Sequence, residues 1–318
     1  MKLAILGAGA VGRSVAELAG EYGHTVMALA DSGGAAVDAD GLDVDAVLER
    51  KRESGAVGDG TVEAALEAEY DALVEATPTT LSDAQPGFGH VRAALERDRH
   101  VVLANKGPVA ERYDEVRALA ADSRGEVLFE AAVAGAIPTL STINSFGAER
   151  VTAVRGVLNG TANFVLSRMA AEGLDYEHVL AEAQDLGVAE ADPSFDVEGT
   201  DAALKCAILA NVLYGGGYTL ADAEVAGIRS IPGSALELAA EDGRTVRLIG
   251  EVADGEVRVG PRLVPEHGTL AVGGTTNIVQ LETEHAGRLN ISGAGAGGPE
   301  TASAVLADVG RLSPPDAR

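Results

Sequence analysis

Short apolar runs punctuate the first half of the chain at regular intervals. Lys2-Leu-Ala-Ile-Leu6 leads directly into a glycine turn, and a helical segment from Arg13 to about Tyr22 follows. Thr25-Val-Met-Ala-Leu-Ala30 comes next, then Ala72-Leu-Val-Glu-Ala76, His100-Val-Val-Leu-Ala104 and Glu126-Val-Leu-Phe-Glu130. Runs of four to six apolar residues, separated by helical stretches, predict buried strands alternating with helices in an open parallel sheet. The pattern then changes. Residues 201–213, Asp-Ala-Ala-Leu-Lys-Cys-Ala-Ile-Leu-Ala-Asn-Val-Leu, leave no broad polar face, which predicts a helix packed on most sides. Residues 245–292 read as strands, with Val246-Arg-Leu-Ile249, Glu256-Val-Arg-Val-Gly260 and Asn277-Ile-Val-Gln-Leu281 as its segments. No apolar run reaches the roughly 18 residues of a membrane span.

These elements predict an α/β protein: a doubly wound, Rossmann-type domain and a second α+β domain. The expected boundaries are 1–132, 133–290, and a return of 291–318 to the first domain.

The glycine turn is Gly7-Ala-Gly-Ala-Val-Gly12, a G-x-G-x-x-G between a strand and a helix. Gly7 permits the tight turn, Gly9 lets the backbone approach a pyrophosphate, and Gly12 lets helix and strand pack closely. Ala10 and Val11 complete the turn, and the N-terminus of the helix that follows faces the phosphates. Asp31 lies 19 residues after Gly12, where an acid can bond the adenosine ribose. Together these pieces predict a dinucleotide site. The competing reading is a glycine-rich turn in a chain with 40 glycines. Ligands of such sheets sit at the carboxyl ends of the strands, so the loops Thr77–Thr80 and Asn105–Pro108, with Lys106, should rim the cofactor. Asp31 favours NAD, because a carboxylate repels a 2′-phosphate. The pair Lys51-Arg52 is cationic and favours NADP if it folds back. Both cofactors stay open.

On the apolar helix, Asp201 and Lys205 are four residues apart and share one face. An ordinary helical ion pair is the bland reading. The apolar surround makes Lys205 a candidate proton carrier instead. Only four of the 24 basic residues are lysine (Lys2, Lys51, Lys106 and Lys205), so lysine is seldom filler here. Glu130 opens Glu-Ala-Ala-Val-Ala-Gly-Ala-Ile, where a carboxylate and free carbonyls suit a hard cation. A plain crossover is the alternative.

Charge and composition narrow the classes. The chain has 49 acids against 24 bases, a formal net charge of −25. That surface repels nucleic acid and anionic membranes. Abundant acid with scarce lysine resembles the composition of a halophile's protein. Cys206 is the single cysteine, so a disulfide framework and a cysteine zinc cage are excluded. No signal-peptide pattern opens the chain, and a cytoplasmic location is expected.

Several further motifs carry a resemblance. They are Ala-Asn-Lys-Gly-Pro at 104–108, Leu-Asn-Gly-Thr at 158–161, Ala-Glu-Ala-Asp-Pro at 189–193, Asp-Val-Glu-Gly at 196–199, and Thr-Ala-Ser-Ala-Val-Leu-Ala-Asp at 301–308. With the glycine fingerprint, they make nearly the whole chain resemble the homoserine dehydrogenases. The resemblance implies NAD(P)-dependent interconversion of L-homoserine and L-aspartate 4-semialdehyde, in threonine and methionine biosynthesis. It assigns Lys205 and Lys106 to catalysis, and Glu190, Asp201, Gly160 and Thr161 to substrate. Thr77, Lys106, Gly187 and Gly297 join the fingerprint at the cofactor. Glu130, Val133, Gly135 and Ile137 match a sodium-binding loop at the domain junction. Val188 stands where many relatives carry tyrosine, which puts one substrate contact in doubt. The resemblance also implies a homodimer. As a second departure, no regulatory amino-acid-binding extension is expected. The alternatives are another Rossmann dehydrogenase of amino-acid-like carbonyls, and a non-catalytic NAD(H) sensor.

The charge generates a prediction independent of any family. Uncompensated acids repel one another, and their screening length falls from about 10 Å at 0.1 M salt to about 3 Å at 1 M. The thermal midpoint should therefore rise steadily with KCl from 0.1 to 3 M. A neutral osmolyte controls for water activity, and a flat or falling midpoint removes the halophile reading.

Overall fold

The computed structural model describes residues 1–313. In the first half the apolar runs form one six-stranded sheet. In chain order the elements are β1 (Lys2–Leu6), α1 (Ala10–Ala19), β2 (Thr25–Asp31), β3 (Gly34–Val37), α2 (Val44–Ser54), α3 (Val62–Glu67), β4 (Ala72–Glu75), α4 (Gly87–Leu95), β5 (His100–Leu103), α5 (Gly107–Glu111), α6 (Tyr113–Ala121), β6 (Val127–Leu128) and α7 (Ala131–Ala134). The strand order is β3-β2-β1-β4-β5-β6, parallel except for β3 against β2. β4 and β5 are buried along their whole length, as parallel strands covered on both faces must be. The core is aliphatic, with Leu3, Ile5, Val15, Leu29, Val74 and Val102 at its centre.

The second half builds its own sheet. Its elements are α8 (Thr139–Phe146), β7 (Val151–Val157), α9 (Gly160–Glu172), α10 (Tyr176–Asp185), α11 (Ser194–Val197), α12 (Thr200–Tyr214), β8 (Ala223–Val225), α13 (Gly233–Glu241), β9 (Arg244–Ala253), β10 (Glu256–Pro265), β11 (Thr276–Thr283) and β12 (Gly287–Ala294). The order is β12-β11-β7-β9-β10-β8, antiparallel except for β8 beside β10. The apolar segment became α12, and every residue from Asp201 to Asn211 is buried. It packs on β8, β9, β10 and α11. Gly250 of β9 leaves room for it: a Cβ there would lie 2.5 Å from Cys206 Sγ.

The last helix among the described residues, α14 (Gly298–Arg311), returns to the first unit and packs along α1. The approach is close, since a Cβ on Gly298 would lie 2.8 Å from Ser14 Oγ and 3.0 Å from the Ala10 carbonyl. The last five residues of the expected return segment lie outside the described residues.

By contacts, the first unit is Met1–Ala136 with the segment from Gly297 onward, and the second is Ile137–Ala296. The expected boundaries fell a few residues earlier. α7 stays with the first unit because Ala131 joins its core. Residues through Ala294 stay with the second because β12 pairs with β11 that far. Element boundaries also differ. α1 starts at Ala10 rather than Arg13, because the fingerprint itself forms the first helical turn. β4 ends at Glu75. The strand expected over 126–130 shrinks to Val127–Leu128, because Glu130 is already the residue preceding α7 and its N–H donates to Asp308 Oδ2 at 2.9 Å.

Candidate active site

In the first unit the strand order reverses between β1 and β4, and the glycine turn sits at the carboxyl end of β1. Gly7 has φ +101°, and a Cβ there would overlap the Ala76 carbonyl. A Cβ on Gly12 would overlap the Gly7 carbonyl. Gly9 behaves differently: it is exposed, and nothing lies within 4 Å of where its Cβ would be. That open backbone is the side from which a pyrophosphate can approach. Gly9 is the N-cap of α1 and brings no side-chain cap, and no acid stands in the first turn. The N–H groups of Ala10, Val11 and Gly12 are therefore available to an anion.

Asp31 ends β2, where the ribose acid belongs. Its Oδ1 accepts from Gly33 N–H at 2.8 Å, and its Oδ2 is ion-paired with Lys51 Nζ. Lys51, from α2, thus folds back onto Asp31, while Arg52 turns to Glu49 on the surface. A 2′-hydroxyl would meet the carboxylate here, and a 2′-phosphate would meet the ammonium. Thr77 and Lys106 follow β4 and β5, and Lys106 is the N-cap residue of α5. Its backbone N–H donates to Thr79 Oγ1 at 3.3 Å. Gly297, with φ +129°, is the N-cap of α14.

The second unit holds the polar cluster. Lys205 and Asp201 are each 6% exposed. Lys205 Nζ donates to Asp201 Oδ2 at 2.7 Å and to the Leu158 carbonyl at 2.6 Å. Asn159 Nδ2 donates to the same Asp201 oxygen at 2.9 Å and to Asp196 Oδ1 at 2.6 Å. Asn159 Oδ1 caps α9 through Ala162 N–H at 2.8 Å. One asparagine therefore fixes the start of α9 and both acids. Burial, and then the neighbouring Asp201 charge, push the Asp196 carboxyl above the usual range. Asn159 and Asp196 were not among the expected site residues, although both lie inside quoted motifs. Gly160 and Thr161 form the first turn of α9, and Thr161 Oγ1 donates to the Val188 carbonyl at 3.0 Å. That bond holds the loop bearing Gly187 and Glu190. Glu190 itself is exposed, and its carbonyl accepts from Gln184 Nε2 at 3.1 Å. The structure thus joins Asp201 and Lys205 directly, with Asn159 beside them, and leaves Glu190 exposed.

For the expected cation loop, Glu130 is 3% exposed and Val133, Gly135 and Ile137 are buried. Arg311 Nη2 lies 3.5 Å from the Glu130 carboxylate. Arg311 Nη1 is 3.1 Å from Asp308 Oδ1, close but not aligned as a hydrogen bond. Burial pushes the Asp308 carboxyl up to about 6. The Ile137 carbonyl accepts from Thr139 N–H at 2.7 Å. Among the described residues no group of three or more His, Cys, Asp or Glu could hold a metal, so a cation here would depend on carbonyl oxygens.

The family model described as homoserine dehydrogenase matches residues 137–309, and that of glutamate/leucine/phenylalanine/valine dehydrogenase matches residues 1–84. The chain is 39% identical to a homoserine dehydrogenase of Methanocaldococcus jannaschii, over 97% of each chain. It is 36% identical to an NAD(+)-dependent homoserine dehydrogenase of Pseudomonas canavaninivorans, over 97% of this chain and 95% of that one. Among solved structures it is similar to a putative homoserine dehydrogenase of Archaeoglobus fulgidus. The TM-score is 0.91 and the identity 40%, over 97% of this chain and 98% of that one.

Cys206 follows Lys205 but is fully buried, and burial pushes its thiol up to about 12. It is no thiolate nucleophile. Iodoacetamide at pH 8 should leave the folded protein unlabelled and alkylate it fully in guanidinium, read by mass spectrometry. Rapid native labelling would contradict the buried placement.

Proposed function

The chain belongs to the homoserine dehydrogenase family, and we propose the residues through which it interconverts L-homoserine and L-aspartate 4-semialdehyde with NAD(P). The observation that carries the assignment is the lysine on α12, held between Asp201 and the Leu158 carbonyl.

When bound, the reduced nicotinamide supplies a hydride to the aldehyde carbon. Negative charge then builds on the aldehyde oxygen, and it needs a cation and a proton beside it. Lys205 meets both needs: its ammonium stabilises the oxygen and delivers a proton to it, and in the oxidative direction the amine takes that proton back. Asp201 and the Leu158 carbonyl accept from two of the three Nζ hydrogens, so the third is aimed. Asn159 holds Asp201 in place. Glu190 takes the substrate ammonium, and the first turn of α9 at Gly160 and Thr161 takes its carboxylate. Lys106 is the second lysine assigned to substrate and nicotinamide.

On the first unit the open backbone of Gly9 and the first turn of α1 take the pyrophosphate, and Asp31 with Lys51 takes the adenosine ribose. Thr77, Gly187 and Gly297 complete the cofactor contacts. The Asp31–Lys51 pair presents one group to each form of the ribose, so both NAD and NADP are accepted. At residues 130–137 the Glu130 carboxylate and the carbonyls of Val133, Gly135 and Ile137 are oxygen donors of the kind sodium takes. The chain pairs as a homodimer through its second sheet. β12 supports this reading: it is an eight-residue edge strand with a half-exposed face. No helix among the described residues is long and apolar enough to cross a membrane.

The direct test is absorbance at 340 nm on mixing the protein with homoserine and NAD or NADP. An increase is expected, and its ratio between cofactors measures the preference. No increase with either removes the assignment.

Asp201→Asn and Glu190→Gln should raise the homoserine KM or lower kcat by tenfold or more, on the order of one charged hydrogen bond lost. Cofactor affinity should stay within about threefold of the parent. Loss of cofactor affinity with homoserine affinity intact would move both acids to the nucleotide site.

A further inference from the structure

One fully buried charge in the first unit has no part in the scheme above. Glu75 is the last residue of β4 and is 0% exposed. It pairs in register with Leu6, the last residue of β1, and with Leu103, the last of β5. It therefore stands where the strand order reverses, at the carboxyl ends of three parallel strands. An aliphatic sheet is a poor place for a carboxylate unless its oxygens are satisfied.

They are satisfied from two loops and a helix. Oε1 accepts from Thr77 N–H at 3.0 Å, from the Thr77 hydroxyl, and from Asn105 Nδ2 at 3.3 Å. Oε2 lies 2.7 Å from Nδ1 of His90 on α4. Asn105 Nδ2 also reaches Thr77 Oγ1 at 3.1 Å, and Asn105 Oδ1 accepts from Gly107 N–H at 2.9 Å. The carboxylate thus knots the loop after β4 to the loop after β5. Room for the knot is left at Gly87, where a Cβ would lie 2.5 Å from Asn105 Nδ2 and 3.4 Å from Glu75 Oε1. The Ala76–Thr77 peptide also abuts Gly7.

The location decides what the knot is for. Asp31 places the adenosine ribose beyond β2, on one side of the reversal. A dinucleotide lying across the crevice puts its other end over β4 and β5. We propose that Glu75 is a positioning residue for the nicotinamide half of the cofactor, acting through Thr77 and Asn105. The proposal rests on the reading of the first unit as the NAD(P) domain. The His90 ring meets the carboxylate at Oε2, while Thr77 and Asn105 meet it at Oε1.

The test compares two probes of one site in the purified full-length protein: NADH, and ADP-ribose, which has the adenosine and pyrophosphate but no nicotinamide. NADH binding is read by its fluorescence and ADP-ribose binding by calorimetry. Glu75→Gln should weaken NADH by about tenfold, the scale of hydrogen bonds to a charged group. ADP-ribose should stay within about twofold. A merely structural role would lower thermal stability and move both probes alike. Equal loss of both, or loss of neither, overturns the proposal. If Glu75→Gln does not fold, His90→Leu should give the same NADH-selective loss, and His90→Gln, which can still donate, should restore the parent value. Failure of the parent protein to bind either probe would instead overturn the reading of the domain.

Discussion

An ammonium and a carboxylate, one helical turn apart and each almost wholly out of water, are the constraint on which the second unit is organised. Burying such a pair is costly unless its remaining lone pairs and protons find partners, and removing one member alone typically costs about 3–5 kcal/mol. The fold supplies the partners from distant parts of the chain. The Leu158 carbonyl comes from the residue after β7, and Asn159 from the cap of α9. Asp196 comes from α11. The other buried residues of α12 are apolar except Asn211. The helix can hold a charge inside a core because the Leu158 carbonyl and the Asn159 amide supply its partners there.

The lysines are distributed to match. Lys205 meets Asp201, Lys51 meets Asp31, and Lys106 stands in the loop after β5. Exposed ion pairs use arginine instead, as in Arg50–Asp59, Arg124–Asp98 and Arg229–Glu198. A compact ammonium suits a site that must present one proton or one charge, while a planar guanidinium suits a surface crowded with carboxylates. Three of the four lysines are the ones proposed for the sites above, and the fourth, Lys2, is exposed at the start of β1.

The parts of the fold that depend on neighbours in sequence were legible. Apolar runs marked β1, β2, β4, β5 and β6 of the first sheet and β9, β10 and β11 of the second, but not β3, β7 or β8, and glycine spacing marked the turn after β1. The four-residue spacing of Asp201 and Lys205 marked the pair itself. What escaped depends on residues brought together from far apart. Asn159 lies 42 positions from Asp201, and no local pattern shows that one amide will bridge two acids. Glu75 read as one polar position in an apolar strand, because His90 and Asn105 lie 15 and 30 positions away. Glu130 read as the end of a strand, because its partners on α14 come from the far end of the chain. Lys51 was visible as a cation but not as the partner of Asp31, since that depends on how α2 turns back after β3. Glu190 is the opposite case: its motif was legible, and the structure leaves it exposed.

The central claim is that the Lys205 amine carries the proton and does not simply stabilise a helix. The measurement that tests it most directly is turnover of Lys205→Ala, with NAD(P)H binding measured in parallel and methylamine added to the assay. The account predicts a fall in kcat on the order of 10²–10⁴, with cofactor affinity within a few-fold of the parent and partial recovery as the small amine rises. A folded Lys205→Ala protein that turns over at nearly the parent rate would contradict it.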